Sequence, residues 1–219
     1  MPVSPKLFLY SLSVSREQCR ELTRLAGKDP GEIKIAVIEN AADIIPNSPD
    51  WLGGFREMLT SNGYRIELID LRKFMNDKTA LQEKLTNKDV LWLGGGHTYY
   101  LRWILKESGS DEIIKDLVSS GKVYAGWSAG AIMAGPTTLY FDAMGDNPDD
   151  APEFITEGLH LTETVIVPHL DNADFTHGAL KTNRRLLEAG FKTCMLEDDE
   201  VWMVEGEEER LIIKNGSFK

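Results

Sequence analysis

The sequence is poor in cysteine: Cys19 and Cys194 are its only two, too few for a disulfide scaffold, and they point to a reducing compartment. It lacks any run of about 18 apolar residues, the length that a membrane-spanning helix needs. The apolar stretch in the N-terminal MPVSPKLFLYSLSVS is too short to read as a secretory leader. Basic charge is scarce, with 24 Lys and Arg against 35 Asp and Glu and a formal net charge of -11. Such a field repels duplex nucleic acid and anionic membrane surfaces, and no local basic patch offsets it. No internal repeat, low-complexity tract or Pro/Gly/Ser-rich linker divides the 219 residues. The expectation is one cytoplasmic domain over residues 1–219, without nucleic-acid or membrane partners, whose state as monomer or dimer the sequence leaves open.

What the sequence does contain is an alternation of short β-rich runs and amphipathic stretches. Strands are expected at 6–10, 33–38, 64–71, 89–93 and 122–126 from their β-branched and apolar content. Helices are expected between them, at 15–26, 49–61, 77–85, 99–107 and 111–120. Ser15 with Gln18 reads as a capping box and Gly27 as a stop. This alternation implies right-handed crossovers and a three-layer α/β fold, a mainly parallel sheet with helices on both faces. Beyond Ser128 the pattern changes: an acidic, proline-containing excursion at 142–157, a strand at 162–167, a helix at 173–189, then a tail from Cys194 that reads as short antiparallel strands.

Chemistry concentrates at Gly126-Trp127-Ser128-Ala129-Gly130, a Gly-x-Ser-x-Gly run that follows an expected strand and precedes the apolar Ala131-Ile132-Met133-Ala134. A serine on so sharp a strand-to-helix turn needs small neighbours, and Gly126, Ala129 and Gly130 supply them. The Ala129 amide, at the start of the next helix, would face a developing oxyanion. Gly94-Gly95-Gly96 ends the preceding strand, and its N–H groups, from Gly95 and Gly96, would complete that oxyanion site. No Lys-Ser/Thr follows, which argues against a phosphate loop. A serine nucleophile needs a base, and the chain has four histidines. His169, at the carboxyl end of 165–167, points to the crevice where ligands of parallel sheets bind. His97 suits a substrate contact, His160 sits at the opposite end of its strand, and His177 reads as surface. The carboxylate that orients the base is open among Asp142, Asp171, Glu197 and Asp198. The acidic run Asp142, Asp146, Asp149, Asp150, Glu153 lacks the spacing of a calcium loop, and His169 with Asp171 and His177 lacks that of a zinc site, so no metal or cofactor is expected.

These segments resemble the peptidase E-like serine peptidases, which include aspartyl dipeptidase and cyanophycinase. The resemblance rests on Gly94-Gly95-Gly96-His97-Thr98, Gly126-Trp127-Ser128-Ala129-Gly130-Ala131, Pro168-His169-Leu170-Asp171 and the later Leu196-Glu197-Asp198-Asp199 and Val204-Glu205-Gly206. It implies a fold like that of class I glutamine amidotransferases, with serine in place of their cysteine. It further implies Ser128 as nucleophile, His169 as general base, the Gly95, Gly96 and Ala129 amides at the oxyanion, and the family's acidic partner on Asp142 or, as in some members, on Asp198. The chain departs from the pattern at Ile132 and His97, each in place of an Asn. It departs again at Gly178-Ala179-Leu180-Lys181-Thr182-Asn183-Arg184, where aspartyl dipeptidase carries a more charged run that recognises an N-terminal aspartate. The implied activity is hydrolysis of short peptides through an acyl-enzyme on Ser128; the alternative is a catalytically silent binding domain of the same fold. An α/β-hydrolase esterase, also built on Gly-x-Ser-x-Gly, fits less well because its histidine lies much further downstream.

Overall fold

The computed structural model describes residues 4–46 and 49–218, so the first three residues of the N-terminal stretch judged too short for a leader lie outside it. Strands β1 (Lys6–Tyr10), β2 (Lys34–Ile38), β3 (Arg65–Leu68), β4 (Val90–Leu93) and β5 (Val123–Trp127) pair in parallel. Helices α1 (Arg16–Ala26), α2 (Pro49–Ser61), α3 (Lys78–Thr86), α4 (Thr98–Glu107) and α5 (Ser110–Ser119) connect them, and α6 (Ala129–Met133) follows β5. The remaining elements are β6 (Thr164–Val167), α7 (Thr176–Glu188), β7 (Lys192–Met195), β8 (Val201–Glu205) and β9 (Glu208–Ile212). The main sheet runs β3-β2-β4-β5-β1-β8-β9, with β8 and β9 antiparallel at one edge.

The central strands β1, β2, β4 and β5 are buried on both faces, and this produces three layers. In β1, Leu7 and Leu9 pack with α3, α4 and α5 through Leu81, Leu101, Ile104 and Ile114, whereas Phe8 and Tyr10 pack with α1 and α2 through Leu22, Leu25, Phe55 and Leu59. The period-2 geometry of a strand divides the two clusters residue by residue. The expected capping box of α1 is present: the Gln18 amide donates to Ser15 Oγ at 3.1 Å, and the Ser15 amide donates to Gln18 Oε1 at 2.8 Å.

One expectation is corrected in the tail. β7 does not join an antiparallel edge; it pairs in parallel with β6 in a separate two-stranded sheet. The helix α7 supplies the crossover between them, which is what a parallel neighbour requires. Among the described strands, β8 alone is reversed: it runs antiparallel both to β1 and to β9. The consequence for function is that β6 and β7 end beside the carboxyl tips of β1 and β5: the Leu170 amide after β6 donates to Leu196 O after β7 at 2.9 Å, and Leu12 after β1 donates to Asp198 O at 3.1 Å.

The elbow after β5 is tight. A Cβ on Gly130 would lie 2.2 Å from Leu93 O, and one on Gly126 would lie 2.4 Å from Gly130 O. Gly130→Ala is therefore expected to destabilise the fold by about 3 kcal/mol, the upper end of overpacking costs, because the contact is with backbone that cannot swing away. Urea unfolding of wild type and variant reads this directly, and an unchanged midpoint contradicts it.

Candidate active site

Ser128 occupies the turn between β5 and α6 with φ 49° and ψ -108°, a conformation that few non-glycine residues adopt. Its amide donates to Tyr10 O at 3.0 Å, and its carbonyl accepts from Ala131 and Ile132 at 2.8 and 3.0 Å. The turn is thus fixed from both sides, and such strain is commonly stored where a side chain must be presented.

What it is presented to is an imidazole. Ser128 Oγ lies 2.9 Å from His169 Nε2, and His169 Nδ1 lies 2.7 Å from Asp198 Oδ1. With Nδ1–H donating to the carboxylate, Nε2 is the free acceptor for the serine hydroxyl proton. His169 is itself in the left-handed region, φ 68°, and only 5% exposed. The Phe175 ring packs against it with centroids 5.0 Å apart.

A residue that the sequence reading missed holds this arrangement. Ser11, immediately after β1 and fully buried, accepts from the His169 amide at 2.8 Å and donates to Asp198 Oδ1 at 3.2 Å. Asn172 Nδ2 donates to the other oxygen, Oδ2, at 2.7 Å. Both carboxylate oxygens of Asp198 are therefore hydrogen-bonded, and the Asp198 amide donates to Asp171 Oδ1 at 2.7 Å. Ser11 had one available signal: it stands at the carboxyl end of a parallel strand, the edge where open α/β sheets build their sites.

Of the carboxylates left open, Asp198 sits against the imidazole and Asp142 does not. Asp142 lies in a single turn of 3-10 helix, 43% exposed at its side chain, and both its oxygens are 3.2 Å from Arg185 Nη1. Arg185 in turn lies over the Tyr140 ring at 4.3 Å. Asp142, the partner that the resemblance implies first, bonds to Arg185, and the carboxylate within hydrogen-bond distance of His169 is that of Asp198. Asp171 supports the Asp198 backbone, and Glu197 donates its amide to Glu200 Oε2 at 3.0 Å.

His97 is also placed otherwise than expected. Its Nδ1 accepts from the Tyr100 amide at 3.2 Å and so caps α4, which leaves Nε2 protonated and 3.7 Å from Asp150 Oδ2. It borders an adjoining hollow and not the crevice at Ser128. Its neighbours Gly95 and Gly96 do border the crevice. A Cβ on Gly95 would lie 3.4 Å from Ser128 Cβ and 3.3 Å from the Trp127 ring, a tight fit that shows how near this backbone passes to the serine. Gly96, at φ 139°, would put a Cβ 2.3 Å from Ala41 O. Gly95 and Gly96 thus line the crevice next to Ser128, which Ala129 follows in the chain.

The crevice encloses about 420 Å³ and is walled mainly by Leu12, Trp51, Trp127, Ile132, Phe141 and Phe175. Ile132, which departs from the family pattern, contributes to that apolar wall. Both thiols lie away from it, and burial pushes Cys19 and Cys194 up to about 12.

A strained serine on a β-to-α elbow, an imidazole and a half-buried carboxylate in series, on a parallel sheet with an antiparallel edge, define the serine-nucleophile hydrolase arrangement. The chain belongs to peptidase family S51, whose model matches residues 17–212. It is similar to an uncharacterized peptidase of Listeria monocytogenes, 28% identical over 120 residues that make up 55% of this chain and 58% of that one. It is also similar to peptidase E of a Nostoc species, 31% identical over 61% of this chain and 51% of that protein. The matched part spans about half the length of such curated relatives. Among solved structures, a Listeria monocytogenes EGD-e protein of the peptidase E type superposes with TM-score 0.83 at 22% identity, covering 96% of this chain and 99% of that one. A peptidase from an acI-B1 Actinobacterium gives 0.71 at 14% identity over 99% and 93%. At those identities the likeness concerns the fold.

Among the described residues no helix is long and apolar enough to cross a membrane.

Proposed function

We propose that this chain is a serine peptidase that hydrolyses a peptide or amide bond in short peptides. The observation that carries the reading is the unbroken series from Ser128 Oγ to His169 Nε2 at 2.9 Å and from His169 Nδ1 to Asp198 Oδ1 at 2.7 Å. Ser128 Oγ adds to the scissile carbonyl carbon while its proton passes to Nε2. The resulting oxyanion is met by the N–H groups of Gly95, Gly96 and Ala129, each worth about 3 kcal/mol where such donors have been removed. The imidazolium, held by Asp198, then gives its proton to the leaving amine, and an ester on Ser128 remains. Water, deprotonated by the same Nε2, cleaves that ester and restores the hydroxyl. A crevice of about 420 Å³, open to solvent on one side, favours a short chain over a folded protein. A cytoplasmic setting fits the two unpaired cysteines.

The test combines a dipeptide panel with a fluorophosphonate probe. Hydrolysis of at least one dipeptide class, and an adduct mapped by mass spectrometry to Ser128, are expected. No turnover and no adduct would make the chain a silent binding domain.

Ser11 enters the same reading as a positioning residue. Ser11→Ala removes one bond to the Asp198 carboxylate and one to the His169 amide, and kcat is expected to fall about 10- to 100-fold, the scale of a lost hydrogen bond to a charged group. KM should stay within twofold or so, since the side chain is not among those that line the crevice. A changed KM with constant kcat contradicts this.

A further inference from the structure

Recognition of an N-terminal aspartate needs a cation, and among the described residues no Lys or Arg lines the crevice at Ser128. The cations of the 178–184 segment and its surroundings lie outside the crevice: Lys181 is exposed on α7, Arg184 faces Glu188 at 4.0 Å on the same exposed helix, and Arg185 is held by Asp142 and Tyr140. A carboxylate side chain entering the crevice would lose its water against Trp51, Phe141 and Phe175 without gaining a counter-charge.

Among the described residues, the one carboxylate that lines the crevice is that of Asp146. Its Oδ2 accepts from the Thr98 amide at 2.8 Å, which fixes the carboxylate at the head of α4. Its Oδ1 has no hydrogen-bond partner among the described residues, and a carboxylate can accept about four hydrogen bonds. Asp146 and Ile45 also line the adjoining hollow, together with Asp150, so the crevice passes from an apolar wall to an acidic end. Such an end attracts a cation and repels a second anion.

Resting on the peptidase reading of Ser128, we infer that the crevice selects the N-terminal residue of its substrate: an apolar side chain against the aromatic wall, and a free α-ammonium received by Asp146. Two groups of one residue are thereby read within the same space. Asp146 is half-buried, and what points to a ligand is the position of an anchored carboxylate on the edge of an otherwise apolar, cation-free lining beside Ser128.

The experiment measures kcat and KM for the p-nitroanilides of Leu, Phe, Asp and N-acetyl-Leu with wild type and Asp146→Asn. An asparagine keeps an acceptor oxygen for the Thr98 amide, so the loop stays anchored. Wild type is expected to prefer free Leu over both Asp and N-acetyl-Leu by about 100-fold in kcat/KM, since the disfavoured partners leave a polar group unpaired. In Asp146→Asn the ratio of free to acetylated substrate should fall at least about tenfold, through KM more than kcat. Equal rates on free and acetylated Leu, an Asp substrate as good as Leu, or an equal loss on every substrate in the variant each overturn the inference while a Ser128 adduct leaves the peptidase reading standing. Absence of both turnover and adduct removes the two together.

Discussion

Ser128→Ala is expected to lower kcat by about 10⁴- to 10⁶-fold on whichever peptide the wild type cleaves, with binding little changed. The size follows from what is lost. Without Oγ the imidazole has no proton to take and no bond can form to the acyl carbon, so only polarisation by the Gly95, Gly96 and Ala129 amides remains. The fold should tolerate the change, because the turn is held by backbone bonds, the Ser128 amide to Tyr10 O and the Ser128 carbonyl to Ala131 and Ile132. Alanine does inherit φ 49°, a cost the serine already bears. Active-site titration with the fluorophosphonate and a thermal melt on the same preparation separate the two effects. A variant that keeps a tenth of the wild-type rate contradicts the nucleophile assignment.

The second large effect separates two carboxylates that the sequence offered as equals. Asp198→Asn is expected to cost about 10⁴-fold in kcat, while Asp142→Asn changes it by less than about threefold. An amide at 198 can turn its NH2 toward Nδ1, which then becomes the acceptor and leaves the proton on Nε2, facing Ser128 Oγ with nothing to receive. It also removes the charge that stabilises the imidazolium. At position 142 the loss is an ion pair with Arg185, side chains 43% and 36% exposed, worth roughly 0–1 kcal/mol of stability. Stopped assays of both variants at saturating substrate decide it, and equal losses would restore Asp142 to the chemistry.

The contrast shows what a linear reading can reach. The elbow was legible because its demands are local: Gly126 and Gly130 are small for reasons that lie within five consecutive residues, and strand before, helix after, are visible in the hydrophobic pattern. His169 was legible because the strand before it ends there and parallel strands end at the site. The capping box of α1 was legible for the same local reason. The tail was misjudged because Cys194 and its neighbours carry no mark of their partner; β7 runs parallel to β6 only because α7 returns the chain in the required sense.

By itself, then, the sequence determined the alternation that makes three layers, the strained serine and the histidine that meets it, since each is set by side-chain periodicity or by the steric needs of adjacent residues. Only the tertiary structure decided that Asp198 takes the imidazole while Arg185 draws Asp142 outward, that Ser11 ties both from a distant strand, and that His97 caps a helix. Those choices depend on distances between residues far apart in the chain, and a hydrogen bond is settled by a few tenths of an ångström that no local pattern encodes.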